Sequence, residues 1–166
     1  APPNTRVEQA IREALLAIAL CHNVAPIEAV VEGDGTGEAS FQGASPDELA
    51  LVQFAATCGL RLASRTPTSI VLREPSGRVH TFDVLHEMPF SSELRRMGIL
   101  IRDTESGQIH FYVKGADSVM GERVERSSGS DWMEEEVGNL AREGLRTLVV
   151  ASKALTQLQY DQFRVA

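Results

Sequence analysis

Gly98-Ile99-Leu100-Ile101-Arg102 and Ile109-His110-Phe111-Tyr112-Val113, with Glu105-Ser106-Gly107 between them, decide the class of this fold. Both runs are apolar and rich in β-branched or aromatic residues, and a polar, glycine-bearing turn separates them, so they predict an antiparallel hairpin. Immediately upstream the pattern repeats. Ser69-Ile70-Val71-Leu72 reads as a strand, Pro75-Ser76-Gly77 as a turn, and Val79 to His86 alternates in the strand manner. Further out, on both sides, the period becomes helical. Val7, Ala10, Ile11, Ala14, Leu15 and Ile18 mark an amphipathic helix from Arg6 to Leu20. A second helix is announced by Ser45 as N-cap, Pro46 in the first helical position and Glu48 three residues after the cap, which together spell a capping box. It runs through Leu51, Val52, Ala55 and Ala56 and stops near Gly59. On the other side, helices are expected over 116–126 and 130–142, the latter capped by Ser130 or Asp131; a strand over Leu145–Ser152 follows, and Thr156 opens a last helix. Strands grouped in the middle with helices at both ends predict an α+β fold, an antiparallel β-sheet flanked by helices, with residues 1–166 as a single domain.

Composition narrows the function. A net charge of −7 leaves no basic footprint for nucleic acid or for an anionic membrane surface. Two cysteines, Cys21 and Cys58, are too few for a disulfide framework, so a reducing intracellular setting is expected. No apolar run approaches the ~18–20 residues of a membrane span, and the start lacks a basic segment followed by an apolar one, so no signal peptide is expected. Because it ends inside a helical pattern, Gln162 to Ala166, the chain reads as a segment of a longer polypeptide.

Several chemistries lack their motif. There is no GxxxxGK[ST] phosphate loop and no GxSxG nucleophile elbow. Gly33-Asp34-Gly35-Thr36-Gly37 lacks the preceding strand and following lysine of a phosphate loop, and reads as a flexible insertion. His22, His80, His86 and His110 have no metal-ligand spacing. No catalytic residue and no metal ligand is expected.

Three segments remain: Ser45-Pro46-Asp47-Glu48-Leu49-Ala50-Leu51-Val52; Pro89-Phe90-Ser91-Ser92-Glu93-Leu94-Arg95-Arg96-Met97 with the later Lys114-Gly115-Ala116-Asp117; and Glu143-Gly144-Leu145-Arg146-Thr147-Leu148. Taken as residues, each has two readings. Phe90, after a strand and Pro89, offers a flat face for a base to stack on, or is a core phenylalanine. Lys114, at a strand end beside Gly115, can meet a nucleotide where glycine allows close approach, or is a solvated lysine. Arg146, at the start of a strand, presents a planar fork suited to phosphate oxygens, or makes a surface salt bridge. Glu48 is fully explained by its cap.

Together and in this order the segments resemble the nucleotide-binding domain of P-type ATPases, and SPDE-x-ALV and KGAD resemble the type IV class, the phospholipid flippases. Ala19-Leu20-Cys21-His22-Asn23-Val24 and Ala141-Arg142-Glu143-Gly144-Leu145-Arg146 look most like the Golgi and endosomal branch that works without an accessory subunit. The resemblance implies ATP as the bound nucleotide, with Phe90 stacking on adenine, Glu48 near its amino group, and Arg95, Lys114 and Arg146 as further contacts; Asp47, Ser91 and Gly115 are secondary candidates. It implies Mg2+ in the parent protein, held outside this chain. Partners would be the phosphorylation and actuator domains of the same parent chain and a phospholipid reached through a membrane domain, the segment itself being monomeric on the cytoplasmic face of an internal membrane. One departure stands out. Flippases usually show arginine-lysine-arginine before the methionine, whereas this chain has Leu94-Arg95-Arg96, so charge is kept at Arg95 and lost at Leu94. The family's phosphorylated aspartate motif, DKTGT, is absent, so this chain alone is expected to bind and position ATP rather than to split it. The competing readings are an interaction or scaffold domain without nucleotide binding and a free-standing soluble enzyme, the latter weakened by the lack of any nucleophile or general-base pair.

Overall fold

The structure is a computed structural model that describes residues 6–27, 40–42, 45–124 and 130–165. Helix α1 (Arg6–Leu20) leads into β1 (Ala25–Ile27), which pairs with β2 (Ser40–Gln42) in a small ribbon. Helix α2 (Pro46–Thr57) follows, then β3 (Arg61–Arg65), β4 (Ser69–Arg73), β5 (Val79–Ser91), β6 (Arg96–Asp103) and β7 (Ile109–Gly115). A single helical turn, α3 (Asp117–Met120), precedes α4 (Ser130–Arg142), β8 (Val149–Leu155) and α5 (Gln157–Val165). Strands β3 to β8 form one six-stranded antiparallel sheet in chain order, a meander in which every strand pairs with its sequence neighbours. The predicted α+β class is what is observed.

Strand β6 is buried along most of its length because both faces of the sheet are covered. On one face, Ile99 and Ile101 pack with Leu20, Val52, Leu72 and Tyr112 beneath α1 and α2. On the other, Leu100 and Ile109 pack with Tyr160 of α5. A buried aliphatic side chain of this kind stabilises the fold by about 1.5–3 kcal/mol relative to exposure. Helices α2 and α4 end alike. Gly59 (φ 97°) and Gly144 (φ 79°) adopt left-handed conformations, and in each case the glycine and the next residue donate to carbonyls of the last turn: Gly59 to Ala56 and Leu60 to Ala55, Gly144 to Ala141 and Leu145 to Leu140. This double closure satisfies carbonyls the helix itself cannot.

Several predicted boundaries move. The last strand starts at Val149, not Leu145, because its partner β7 ends at Gly115, the residue opposite Val149; residues 145–148 therefore have no strand to pair with. The helix expected over 116–126 closes after one turn at Gly121, and residues 125–126 lie outside the described residues, as do the 33–37 insertion and the side chains of Ser130 and Asp131. Strand β5 does not stop at His86 but continues through Pro89 to Ser91. It can do so because the register with β6 shifts between Met88 and Ser91, where a residue without an N–H costs no ladder bond. Strand β3 and the β1–β2 ribbon went unpredicted; in β3 only Leu62 is buried, so the strand carries almost no alternation.

Candidate functional site

At one end of the sheet, the end of β5, the start of β6, the end of β7 and the first turn of α2 surround a cavity of about 520 Å³, a size typical of small-molecule sites. The register shift in β5 helps to make it. Met88 packs on the α5 side of the sheet, and regular alternation would turn Phe90 the same way. With the irregularity between them, Phe90 instead lines the cavity together with Met97, which belongs to the core beneath α1 and α2. The Phe90 ring is 60% exposed, so it is not a core phenylalanine.

Lys114 pairs with Met97 across the β6–β7 ladder and therefore faces the same way. It is not the solvated strand-end lysine: the residue is only 5% exposed. Its Nζ lies 3.1 Å from Glu48 Oε1, and Glu48 Oε2 accepts the backbone N–H of Asn23 at 3.4 Å. The predicted capping box at Ser45 and Glu48 does not form. Ser45 occupies the N-cap position without a side-chain cap bond, and the Glu48 carboxylate is committed to Lys114 and Asn23. A reciprocal box forms elsewhere, at α5, where the Gln159 N–H donates to Thr156 Oγ1 and the Thr156 N–H to Gln159 Oε1. A charged partner in a partly dry site outbids a neutral cap, since bonds between ionised groups are roughly twice as strong.

Arg95 closes the β5–β6 turn in a left-handed conformation (φ 49°) and lines the cavity. Among the described residues it pairs with no carboxylate. Gly115 is in the wall too, but the space beside its Cα is already filled. A Cβ there would stand 2.7 Å from Arg96 Cβ and 2.8 Å from the Arg95 carbonyl oxygen, so glycine is required by the turn that packs on it and not by ligand approach. Arg146 does not open a strand and is not in the wall. It sits in the 145–148 connection, 76% exposed at its side chain, and its Nη1 pairs with Asp47 Oδ2; Asp47 does line the cavity. Ser91 stays outside the wall, its Oγ accepting the Leu94 N–H at 3.3 Å. Glu48, Phe90, Arg95, Lys114, Gly115 and Asp47 are thus brought together, Arg146 is joined to them through Asp47, and Ser91 supports the turn. Asn23, Ser45, Leu51, Pro89 and Leu148 also line the wall without having been predicted as site residues. Asn23 lay in the Cys21-His22-Asn23-Val24 run and the other four in the three quoted segments, but nothing in those stretches marked these side chains as lining a cavity.

Behind the wall two titratable groups are held neutral by burial. The Cys21 thiol is pushed up to about 12 by desolvation, partly offset by the charge of Lys114. His22 is pushed down to about 3, chiefly by desolvation and also by the nearby Arg65 charge. Among the described residues no group of three or more His, Cys, Asp or Glu side chains is placed to hold a metal ion, and no helix is long and apolar enough to cross a membrane.

The chain has relatives among known proteins. The family described as "P-type ATPase, cytoplasmic domain N" matches residues 10–166. The chain is 47% identical over 169 residues to "Probable phospholipid-transporting ATPase IIB" of Bos taurus, covering 95% of this chain and 15% of that protein. It is 45% identical over 155 residues to "Phospholipid-transporting ATPase NEO1" of Saccharomyces cerevisiae, covering 93% of this chain and 13% of that protein. Identity to "Phospholipid-transporting ATPase tat-1" of Caenorhabditis elegans is 32% over 157 residues, 92% of this chain and 13% of the relative. The chain therefore spans about one seventh of the length of such relatives. On the match over 10–166, the chain belongs to the family of P-type ATPase cytoplasmic N domains, and its similarity runs to the phospholipid-transporting, type IV members.

Proposed function

We propose that this domain binds ATP in the cavity at the end of the sheet and, within a longer P-type ATPase chain, presents the γ-phosphate to a phosphorylation domain. One observation carries the reading: an aromatic ring 60% exposed forms the wall of a cavity whose other walls bring in the cations Lys114 and Arg95. An exposed ring invites a flat base, and a cation near it suits the phosphates that a base carries. Glu48 is an acceptor suited to an adenine amino group, and Arg146 stands at the mouth, where it can exchange Asp47 for phosphate oxygens. Magnesium would travel with the triphosphate and be held by the phosphorylation domain, since transfer depends on charge neutralisation there. The parent protein would be an ATP-driven phospholipid translocase, as the relatives' names suggest, with this domain on the cytoplasmic face. The Cys21-His22-Asn23 and Arg142-Glu143-Gly144 pieces support the Golgi or endosomal branch.

The test is a nucleotide titration of the 166-residue chain followed by amide shifts and calorimetry, with and without Mg2+. ATP and ADP should bind weakly and alike, with little dependence on the metal, and shifts should centre on Phe90, Arg95, Lys114 and Gly115. Absence of binding at millimolar ATP would instead favour a scaffold domain, and tight metal-dependent binding would contradict the adenine-centred site.

A further inference from the structure

The Cys21-His22-Asn23-Val24 segment leaves α1 and passes behind the cavity, and its central imidazole has no part in the site as described so far. His22 is 1% exposed. Its Nδ1 accepts the Val24 N–H at 3.0 Å, which fixes the proton on Nε2, and that N–H donates to the Ala19 carbonyl at 2.8 Å. The Ala19 carbonyl belongs to the last turn of α1, where helical carbonyls lack intrahelical partners. One ring therefore joins the end of the helix to the turn that follows it. Between the two residues so held lies Asn23, whose N–H reaches Glu48 Oε2 at 3.4 Å, while the other Glu48 oxygen receives Lys114 at 3.1 Å.

We propose that His22 is a positioning residue for the cavity: it clamps residues 22–24 to the end of α1, so that the Asn23 amide holds Glu48 and Glu48 holds Lys114 in the wall. The clamp needs both ring nitrogens. An acceptor for the N–H two residues on can be supplied by a short side chain such as asparagine, which makes the same local turn. Only a longer side chain also reaches back to the helix. The two halves of the clamp are therefore separable. Asparagine places its carbonyl where Nδ1 stands and keeps the Val24 bond, whereas glutamine places its amide near Nε2 and keeps the Ala19 bond.

The proposal rests on the ATP reading for its meaning in binding, and the experiment separates the two. His22→Asn and His22→Gln are prepared in the 166-residue chain, and three quantities are measured: unfolding stability in urea, ATP affinity by amide-shift titration, and hydrogen exchange at the Asn23 amide. Both variants should lose stability, each having given up one bond. His22→Asn and His22→Gln should each lose about tenfold in ATP affinity, the order expected for one misplaced hydrogen bond, and each should exchange Asn23 faster, because either change opens the clamp. Equal losses of stability with affinity and Asn23 protection unchanged in both variants would overturn the proposal and leave His22 a core histidine. Should one variant fail to fold, Asn23 exchange in the other against the wild type decides. If the wild-type chain binds no ATP, the functional reading falls, and the exchange measurement still decides the clamp.

Discussion

Removing both members of the Glu48–Lys114 pair should destabilise the domain by less than the two single changes added together. The two side chains are 12% and 6% exposed, and Nζ and Oε1 are 3.1 Å apart. Glu48→Gln leaves an ammonium group in a nearly dry site with only an amide beside it. Lys114→Met leaves a carboxylate whose one remaining partner is the Asn23 N–H. Losing one member of a buried pair costs about 3–5 kcal/mol, and a domain of this size loses roughly 2–4 °C of Tm per kcal/mol, so each single change should lower Tm by about 6–20 °C. The double variant carries no buried charge and should cost less than the sum of the singles by about 2–3 kcal/mol. Urea unfolding with a constant m-value across the four proteins is the assay. Singles costing under about 0.5 kcal/mol, or strict additivity, would refute the reasoning by showing the pair to be solvated. The outcome bears directly on function, since a loss of ATP affinity in Lys114→Met is a lost contact only after the destabilisation has been separated from it.

Three further outcomes follow from the same geometry. Phe90→Ala should weaken ATP binding by about 1–3 kcal/mol, the range for loss of a stacking platform, yet leave urea stability nearly unchanged because the ring is 60% exposed; an equal loss of stability would return Phe90 to the core. Gly115→Ala should destabilise by about 1–3 kcal/mol through overpacking, because the atoms 2.7 and 2.8 Å from the new Cβ are Arg96 Cβ and the Arg95 carbonyl oxygen, which cannot swing away; wild-type urea stability would show that the turn gives. His22, neutral in the fold down to about pH 3 against an ordinary 6.5, binds its proton sooner in the unfolded chain. Its contribution is therefore complete above pH 6.5 and is lost as pH falls toward 3, at about 1.4 kcal/mol per unit. Between pH 7 and 5 the wild type should lose about 2 kcal/mol more than His22→Asn, and parallel pH curves would reject this.

How much of this was legible depended on whether the deciding contact was local. The hairpins around Gly77 and Gly107 could be read because alternation and turn residues lie within a few positions of one another. So could α1, whose apolar stripe is continuous. Strand β3 could not, since an edge strand with one buried side chain, Leu62, has no face to announce. Pro89 looked like a strand end, because nothing in its neighbours reveals a register shift against β6. Ser45 and Glu48 spelled a cap by local rules, but the carboxylate goes to Lys114, 66 residues further on. Arg146 likewise finds Asp47 at a separation of 99 residues. The identities of the site residues came from ordered motifs. Their pairing came only from the fold, because an ion pair leaves no trace in the spacing of its members.

The order of the sheet also sets a timetable. Because β3 to β8 are neighbours in space in the order in which they occur in the chain, strands β3 to β7 can each zip onto the previous one as synthesis proceeds, with short loops to close and little entropy to lose at each step, whereas β8 joins only after the longer 116–148 connection that carries α3 and α4. Helix α1 is the exception. It precedes every strand of the sheet, yet it packs against β7 and β8 as well as α2, so part of its apolar stripe has no bed until the last strand emerges. During that interval the side chains that α1 later buries stay exposed on the nascent domain. The final strand acts as the catch that lets it close, and Lys114, the β7 residue opposite Val150 of β8, is locked into the sheet by the same step.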